Sequence, residues 1–272
     1  MSVRVSLPLL KIASVALMTF LYAPLVVATL YAFNSGDRLI WPPDGFSLRW
    51  FGRIFADDLF RKALTTSLIA AVATSIASCV VGMAAALVFT RRTSRVSRVA
   101  AALGRLPVML PPLFIGVGLI ALMKLVTVSP SIATIVLGHT LVVLPFVILI
   151  VVSRLRSHEL ELELAARDLG AGPIQVLRRI TLPLVAPAIL GAALLAFAFS
   201  FDEVLITNFT SGTDSTVPIY VLGRLRRLVD PGANAVAVIL LLIPWLAFGI
   251  GSVILRRTTG SGLGDLLTRR TG

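Results

Sequence analysis

The stretch LAARDLGAGPIQVLRRITLP, Leu164 to Pro183, interrupts a chain that is otherwise strongly apolar. It holds Arg167, Asp168, Arg178 and Arg179, with two glycines and two prolines, between long hydrophobic runs. Local physics makes it a helix, a glycine turn and a second helix. Ser157 is suited to cap the first helix. Glu159 and Glu161 fall in its first turns, where the positive end of the helix dipole favours carboxylates. Glu163 and Arg167 stand four apart in the favourable acidic-first order. Leu160 and Leu164 share a face, and Ala165 and Ala166 keep the surface small enough for close approach. Gly170 supplies a left-handed stop, and Gly172-Pro173 starts the second helix with proline in its first turn. Leu182-Pro183 then opens the next apolar run. A connection between two membrane spans needs only a few polar residues. Ordered structure over about 28 residues, 154–181, points instead to a docking surface, because long ordered loops are usually functional.

The 272 residues are 57% hydrophobic and 14% charged, with a mean hydropathy of +0.95. A soluble domain carries about 25% charged residues, so the expected fold is an all-α integral membrane protein. Uncharged runs at Ile12–Phe33, Ala63–Thr90, Leu106–Met123, Leu125–Ser153, Ile180–Phe201 and Pro231–Leu255 can each cross a bilayer, since a ~30 Å core needs ~20 helical residues. The expected spans are 12–33, 63–90, 106–124, 131–153, 182–209 and 233–255, in one transmembrane domain covering 1–272. The first run has 22 uncharged residues, more than the roughly 7–15 of a signal-peptide core. No convincing small-residue cleavage site follows it, so it reads as a retained anchor.

Net charge is +12, but the basic residues sit in short connections rather than on one face. That favours membrane orientation over nucleic-acid binding. With both termini inside, the inner segments hold Arg4, Lys11, Arg91, Arg92, Arg95, Arg98, Arg105, Arg154, Arg156, Arg167, Arg178, Arg179, Arg256, Arg257, Arg269 and Arg270. These are 16 of the 25 basic residues, and the bias supports cytoplasmic termini, an even number of spans and a cytoplasmic Leu164–Pro183. The single Cys79 cannot form an internal disulfide and, lying in an apolar run, does not report a redox compartment.

Two outer connections carry amphipathic patterns. In SLRWFGRIFADD, Trp50, Phe51, Ile54 and Phe55 share a helical face beside Arg49 and Arg53, as in an interfacial helix with aromatics at headgroup depth. Asp57 or Asp58 is placed to cap the second span. In PIYVLGRLRRLVDP, Leu222, Leu225 and Val229 form a stripe opposite Arg224 and Arg227, which suits a second interfacial helix or contact with an outer partner.

The spacing of the interrupting segment resembles the cytoplasmic loop of type I ABC importer permeases: Glu-Ala-Ala, three residues, Gly, nine residues, Ile-x-Leu-Pro. Here Leu164-Ala165-Ala166 precedes Arg167, Asp168, Leu169 and Gly170, and Ile180-Thr181-Leu182-Pro183 follows nine residues later. Only the first position departs, with Leu164 where the family usually has Glu. Glu163 lies one residue earlier, ~100° around the helix, and so cannot take its place. The stretches SLRWFGRIF, LPVMLPPLFIGVGL, FSFDEVLITNFTSG and VPIYVLGRLRRLVDPGANAVAVILLL are similar to permeases of the spermidine/putrescine branch. The resemblance implies six spans and a coupling loop at 154–181 built on Glu159, Glu163, Leu164, Ala165, Ala166, Arg167, Asp168, Gly170, Ile180, Leu182 and Pro183. It further implies a bacterial cytoplasmic-membrane location, two separate ABC ATPase subunits using ATP and Mg, a second homologous permease chain, and a periplasmic or lipid-anchored solute-binding protein.

The residues agree that this chain is not itself the ATPase. Its lysines, Lys11, Lys62 and Lys124, do not follow a glycine, so the phosphate-binding G-x-x-x-x-G-K-[ST] is absent. GSGLG at Gly260–Gly264 has no strand before it and reads as linker. No catalytic residue, cofactor or metal spacing stands out. For the pathway, Asp202 and Glu203 adjoin the fifth run, where paired carboxylates at membrane depth suit a cationic solute; the alternative is a pair simply solvated at the outer interface, since Asp202 stands roughly 28 Å of helix beyond Pro183. Adjacent residues point apart, so at most one faces the lumen. His139 fits a hydrogen bond to a neighbouring helix as well as solute contact, while Tyr22, Tyr31 and Trp245 offer aromatic faces to a cation. Pro107, Pro111 and Pro112 mark a bend at the start of the third span, and Gly116 and Gly118 permit close packing. The expected function is a permease subunit moving a polyamine. The alternatives are a permease for another small solute, an autonomous secondary transporter, or a membrane scaffold without transport. A self-contained carrier has no use for the docking loop, and a scaffold has none for Asp202 and Glu203.

Overall fold

The computed structural model describes residues 7–91, 110–158, 160–227 and 230–259. Arg4, Arg92, Arg95, Arg98, Arg105, Pro107, Glu159, Val229, Arg269, Arg270 and the GSGLG stretch lie outside the described residues. Helices are α1 (Leu7–Ala32), α2 (Arg49–Ala56), α3 (Asp58–Arg91), α4 (Pro112–Leu125), α5 (Ile132–His158), α6 (Leu160–Asp168), α7 (Pro173–Val176), α8 (Leu182–Phe201), α9 (Thr207–Thr210), α10 (Val217–Arg227) and α11 (Pro231–Thr259), with a π-helical turn at Leu177–Thr181 joining α7 to α8. Among the described residues, five helical stretches are long and apolar enough to cross a membrane: Leu10–Ala32, Asp58–Arg91, Ile132–Arg156, Pro173–Phe201 and Pro231–Arg257. The shorter apolar Pro112–Leu125 occupies the described part of the third expected span.

Three helix boundaries differ from expectation. α5 continues through Ser157 to His158, so Ser157 is inside a helix and does not cap α6. The fifth span does not open at Leu182, because helix runs unbroken from Pro173 to Phe201. Proline at position 183 lacks an N–H and its ring crowds the carbonyl four residues back. The chain meets this by widening just ahead of it: the Leu182 N–H bonds the Leu177 carbonyl, five residues back. The same span ends at Phe201 and not near 209, for a reason given by Glu203 below.

The fold divides into two compact units, one of 1–61 with 220–241 and the other of 62–219 with 242–272. In the first unit, buried Asn34 organises the connection between α1 and α2. Its Oδ1 accepts the Gly36 and Asp44 N–H groups, its Nδ2 donates to the Arg38 carbonyl, and Asn34 pairs with Phe46 in an antiparallel bridge. The aromatic face of α2 packs onto this connection. Trp50 and Ile54 are buried, Trp50 Nε1 donates to the Gly36 carbonyl, Arg49 and Arg53 cover the Trp50 ring at 5.0 Å, and Phe51 meets Phe33 at 5.1 Å. The interfacial-helix expectation is therefore corrected for Trp50 and Ile54: a 3.6-residue stripe shows a face that wants cover, and here the chain supplies it.

In the second unit, α3, α5 and α8 share a core of Met83, Ala86, Val143, Val147, Val151, Leu155, Val185, Ala192 and Ala196. Lipid tails are as apolar as these side chains, so close packing and interhelical hydrogen bonds hold such helices together. Ser75 Oγ, for example, reaches the Ala193 carbonyl at 3.1 Å. α9 and the turn before it lie against α4 and α5 at two glycines. A Cβ at Gly116 would sit 2.7 Å from Phe209, and one at Gly138 would sit 2.6 Å from Ile206. Gly118, expected to serve the same purpose, has nothing within 4 Å of a Cβ.

Candidate functional site

The interrupting segment forms the helix, turn and helix read from its sequence. Gly170 adopts φ +83°, its N–H bonds the Arg167 carbonyl at 2.9 Å, and the Ala171 N–H bonds the Ala166 carbonyl at 3.0 Å. This paired arrangement is the Schellman stop, which places the residue after the cap in the left-handed region that favours glycine. Gly172 then takes an extended conformation and Pro173 occupies the first turn of α7. The turn leaves Leu164, Leu169 and Ile174 exposed, Leu169 at 90%. Beside them, Gly172, Pro173, Ile174, Gln175, Arg178 and Arg179 line a concave pocket. Apolar side chains at the rim of a basic hollow suit a protein partner with an apolar and acidic face. Leu169 and Ile174 were missed in the sequence, although both are large apolar residues flanking the glycine turn in an otherwise polar segment.

Glu163 does not belong to this exposed face. It is buried, and its Oε1 accepts from Arg91 Nη2 and from Thr181 Oγ1, the latter at 2.6 Å. The expected Glu163–Arg167 pair is thus replaced by an ion pair with the end of α3. Helical spacing identifies which residues can meet on one helix, but a tertiary partner offers a buried pairing that local spacing does not reveal. Ala165, Ala166, Arg167 and Asp168 complete α6, while Ile180, Leu182 and Pro183 lie in the continuous helix toward α8.

At the other end of α8, Asp202 and Glu203 part company. Asp202 follows the last helical residue and is exposed. Glu203 turns its carboxylate onto the next segment, where Oε1 accepts the Leu205 N–H at 3.1 Å and Oε2 accepts those of Ile206 and Thr207 at 2.8 and 3.1 Å. A carboxylate that takes these unpaired amides starts a new helical turn, so α8 stops and α9 begins. His139 bolts this break to α5. The Thr207 hydroxyl donates to the Glu203 carbonyl at 3.0 Å, so His139 Nε2–H donates to Thr207 Oγ1 at 2.8 Å and Nδ1 accepts from Ser200 Oγ at 2.7 Å. Both ring nitrogens are engaged and the residue is 1% exposed. Its geometry is that of an interhelical tie, with no face left for solute. Thr207 and Ser200 were invisible as partners because the break that aligns them with His139 is not a periodic signal.

Tyr31 is partly buried and its hydroxyl donates to the Ile40 carbonyl at 3.0 Å. Trp245 on α11 is 74% exposed, and Tyr22 on α1 is exposed too. α10 uses its polar side. Tyr220 Oη donates to Asp57 Oδ2 at 2.7 Å, Arg224 Nη1 donates to Tyr220 Oη at 3.3 Å, and Arg224 pairs with Asp230 at 2.7 Å. Leu225 stays exposed, so part of the apolar stripe remains available as expected. Asp57, rather than Asp58, caps α3, its Oδ1 accepting the Leu59 N–H at 2.8 Å. Burial presses the Asp57 carboxyl upward, but the Tyr220 hydroxyl, the Leu59 and Phe60 amides and the Arg224 charge outweigh it and hold it below the ordinary range. No group of three or more His, Cys, Asp or Glu side chains converges as a metal site among the described residues.

Residues 78–260 match the family described as binding-protein-dependent transport system inner membrane component. The chain is 33% identical over 262 residues to the putrescine transport system permease protein PotI of Escherichia coli K12, covering 93% of each. It is 31% identical over 240 residues to the spermidine/putrescine transport system permease protein PotC of Haemophilus influenzae, covering 88% of this chain and 93% of the relative. Its fold resembles a chain of a bacterial alginate ABC transporter solved with an alginate-bound periplasmic protein, with a TM-score of 0.71 at 15% identity over 94% of this chain and 95% of that one. With the helix–turn–helix segment and the apolar helices in place, the chain belongs to the binding-protein-dependent inner-membrane component family, as a non-catalytic, multi-pass permease subunit of an ABC importer whose ATPase is a separate subunit.

Proposed function

We propose that this subunit imports a polyamine, putrescine or spermidine, into the cytoplasm. The carrying observation is the 33% identity to a putrescine permease over 93% of both chains. The site geometry agrees with a cationic solute. With the Glu203 carboxylate committed to backbone amides, Asp202 is the exposed carboxylate at the end of α8. An amine in a desolvated path needs such a counter-charge, because an unpaired charge there costs several kcal/mol. Trp245 adds an aromatic face, worth ~0.5–2 kcal/mol where it meets the cation.

In this reading both termini are cytoplasmic, and two ATPase subunits using ATP and Mg serve the complex. One docks on the Leu164–Leu169–Ile174 face of this chain. A second homologous permease chain completes the pathway, and an external solute-binding protein, periplasmic or lipid-anchored, delivers the polyamine. This chain needs no cofactor of its own. The test is uptake of labelled putrescine by cells lacking other polyamine importers but expressing the assembled system. Saturable uptake with spermidine competition is expected. Uptake of a sugar or an oxyanion without polyamine competition would discard the substrate and keep the importer.

A further inference from the structure

Two separate elements converge on a buried carboxylate of α6. Glu163 on α6 is 3% exposed, and the residue that follows it, Leu164, is turned outward. Arg91, the last residue of α3, and Thr181, the last residue of the π-helical turn, both donate to Glu163 Oε1. Arg91 Nη2 also reaches Thr181 Oγ1 at 3.3 Å, which closes a three-membered network. Thr181 itself is 0% exposed. The network therefore ties α6 to the ends of the second and fifth spans, across sequence separations of 72 and 18 residues.

The physical character of the contact suits positioning more than stability. The carboxylate is the buried member of the pair, while the Arg91 guanidinium keeps partial access to solvent, so the attraction is partly screened and the pair is a modest stabiliser overall. Removing Arg91 nevertheless leaves the buried Glu163 carboxylate without its counter-charge, which makes the paired arrangement preferred over a shifted one. The π-helical turn adds a second feature. Its wider ladder sits where the docking loop becomes a membrane span, and single π turns inside helices recur at functional positions.

We propose that Arg91, Glu163 and Thr181 form a latch that fixes the docking helix to the ends of α3 and α8, so that a push on α6 moves both spans together. Glu163 is then a positioning residue facing the permease and not a contact to the ATPase. The inference rests on the importer reading above, in which an ATPase engages the exposed face of α6 and α7.

The experiment uses the assembled importer, purified through a tag on this chain and reconstituted in proteoliposomes with the solute-binding protein and putrescine. Two quantities are read: ATPase recovered with the chain, and putrescine moved per ATP hydrolysed. Leu169→Asp, on the exposed face, should reduce ATPase recovery at least tenfold. Glu163→Gln and Arg91→Gln should keep recovery within twofold of the parent while lowering putrescine per ATP at least fivefold. The charge exchange R91E/E163R should restore at least half of the lost coupling. Thr181→Val, which removes only a hydroxyl, should lower coupling two- to threefold and provides a readout if the charge variants fail to insert. The latch is overturned if Glu163→Gln loses ATPase as Leu169→Asp does, if the variants couple normally, or if the exchange is no better than the worse single variant. Failure of the importer reading gives a different result, with no ATPase recovered on the parent chain.

Discussion

Gly170→Val puts a β-branched residue where the backbone stands at φ +83°. Nothing lies within 4 Å of a Cβ built there, so the substitution meets no steric overlap and its cost is purely conformational. An L-residue in the left-handed region pays about 1–2 kcal/mol. The alternative is to relax to negative φ and give up the two bonds of the stop, at 2.9 and 3.0 Å, each worth about 0.5–1.5 kcal/mol. Either way this turn geometry loses roughly 1–2 kcal/mol, or a factor of about 5–30 in its equilibrium against relaxed conformations, which is the upper limit of the loss in its population. Alanine should lie at the low end and valine at the high end. The assay is ATP hydrolysis stimulated by the solute-loaded binding protein, with uptake measured in parallel and membrane insertion checked separately. Both activities should fall together by up to that factor while insertion holds. Gly172 provides the matched control, since φ −69° and ψ 161° are ordinary for any residue and its Cβ position is open. Gly172→Ala should therefore stay within twofold. Full stimulation in Gly170→Val, or equal damage from Gly172→Ala, would refute a role for the left-handed turn.

The remaining predictions address other parts of the chain. In a Cys79→Ala background, a cysteine at Leu169 should be labelled from the cytoplasmic side alone and one at Asp44 from outside alone; external labelling at 169 in intact cells would reverse the orientation. Asp202→Asn should impair putrescine uptake without loss of thermal stability. Glu203→Gln should lower both, because one amide oxygen replaces a carboxylate holding three N–H groups, whose charged bonds are worth about 1.5–3 kcal/mol each; equal thermal stability of the two variants would contradict the capping role. Asp57, held below its ordinary value, should stabilise the fold above its unfolded pKa of ~3.9, with that contribution lost as pH falls through the lower folded value. Thermal unfolding from pH 7 to pH 3 should accordingly show an acid-side loss that is smaller in Asp57→Asn, and identical slopes would remove the effect.

The long apolar helices, the helix–turn–helix of 160–176 and its glycine stop were legible in the sequence because each is local. Twenty uncharged residues suit a bilayer wherever they occur, and a glycine flanked by helical periodicity marks a left-handed stop before any partner is known. Pro173 likewise opens a helix by its own fixed φ. The existence of α2 was visible from its aromatic stripe, but a stripe shows only that a face needs cover. Trp50 finds its cover in the chain's own connection after α1, where the Gly36 carbonyl accepts its Nε1–H, and the stripe alone does not reveal that.

The partners that give the polar residues their roles came from tertiary structure. By spacing, Glu163 belonged with Arg167; the fold offered Arg91, 72 residues away, and turned the carboxylate inward while Leu164 faced out. Asp202 and Glu203 were an equivalent pair on paper, and the break at the end of α8 made one a cap and left the other exposed. His139 acquired Ser200 and Thr207 through the same break. Local periodicity is fixed by the backbone's own repeat. A buried polar group must instead find whichever donor or acceptor the packed helices bring within about 3 Å, and for Glu163 and His139 those partners stand 18 to 72 residues away.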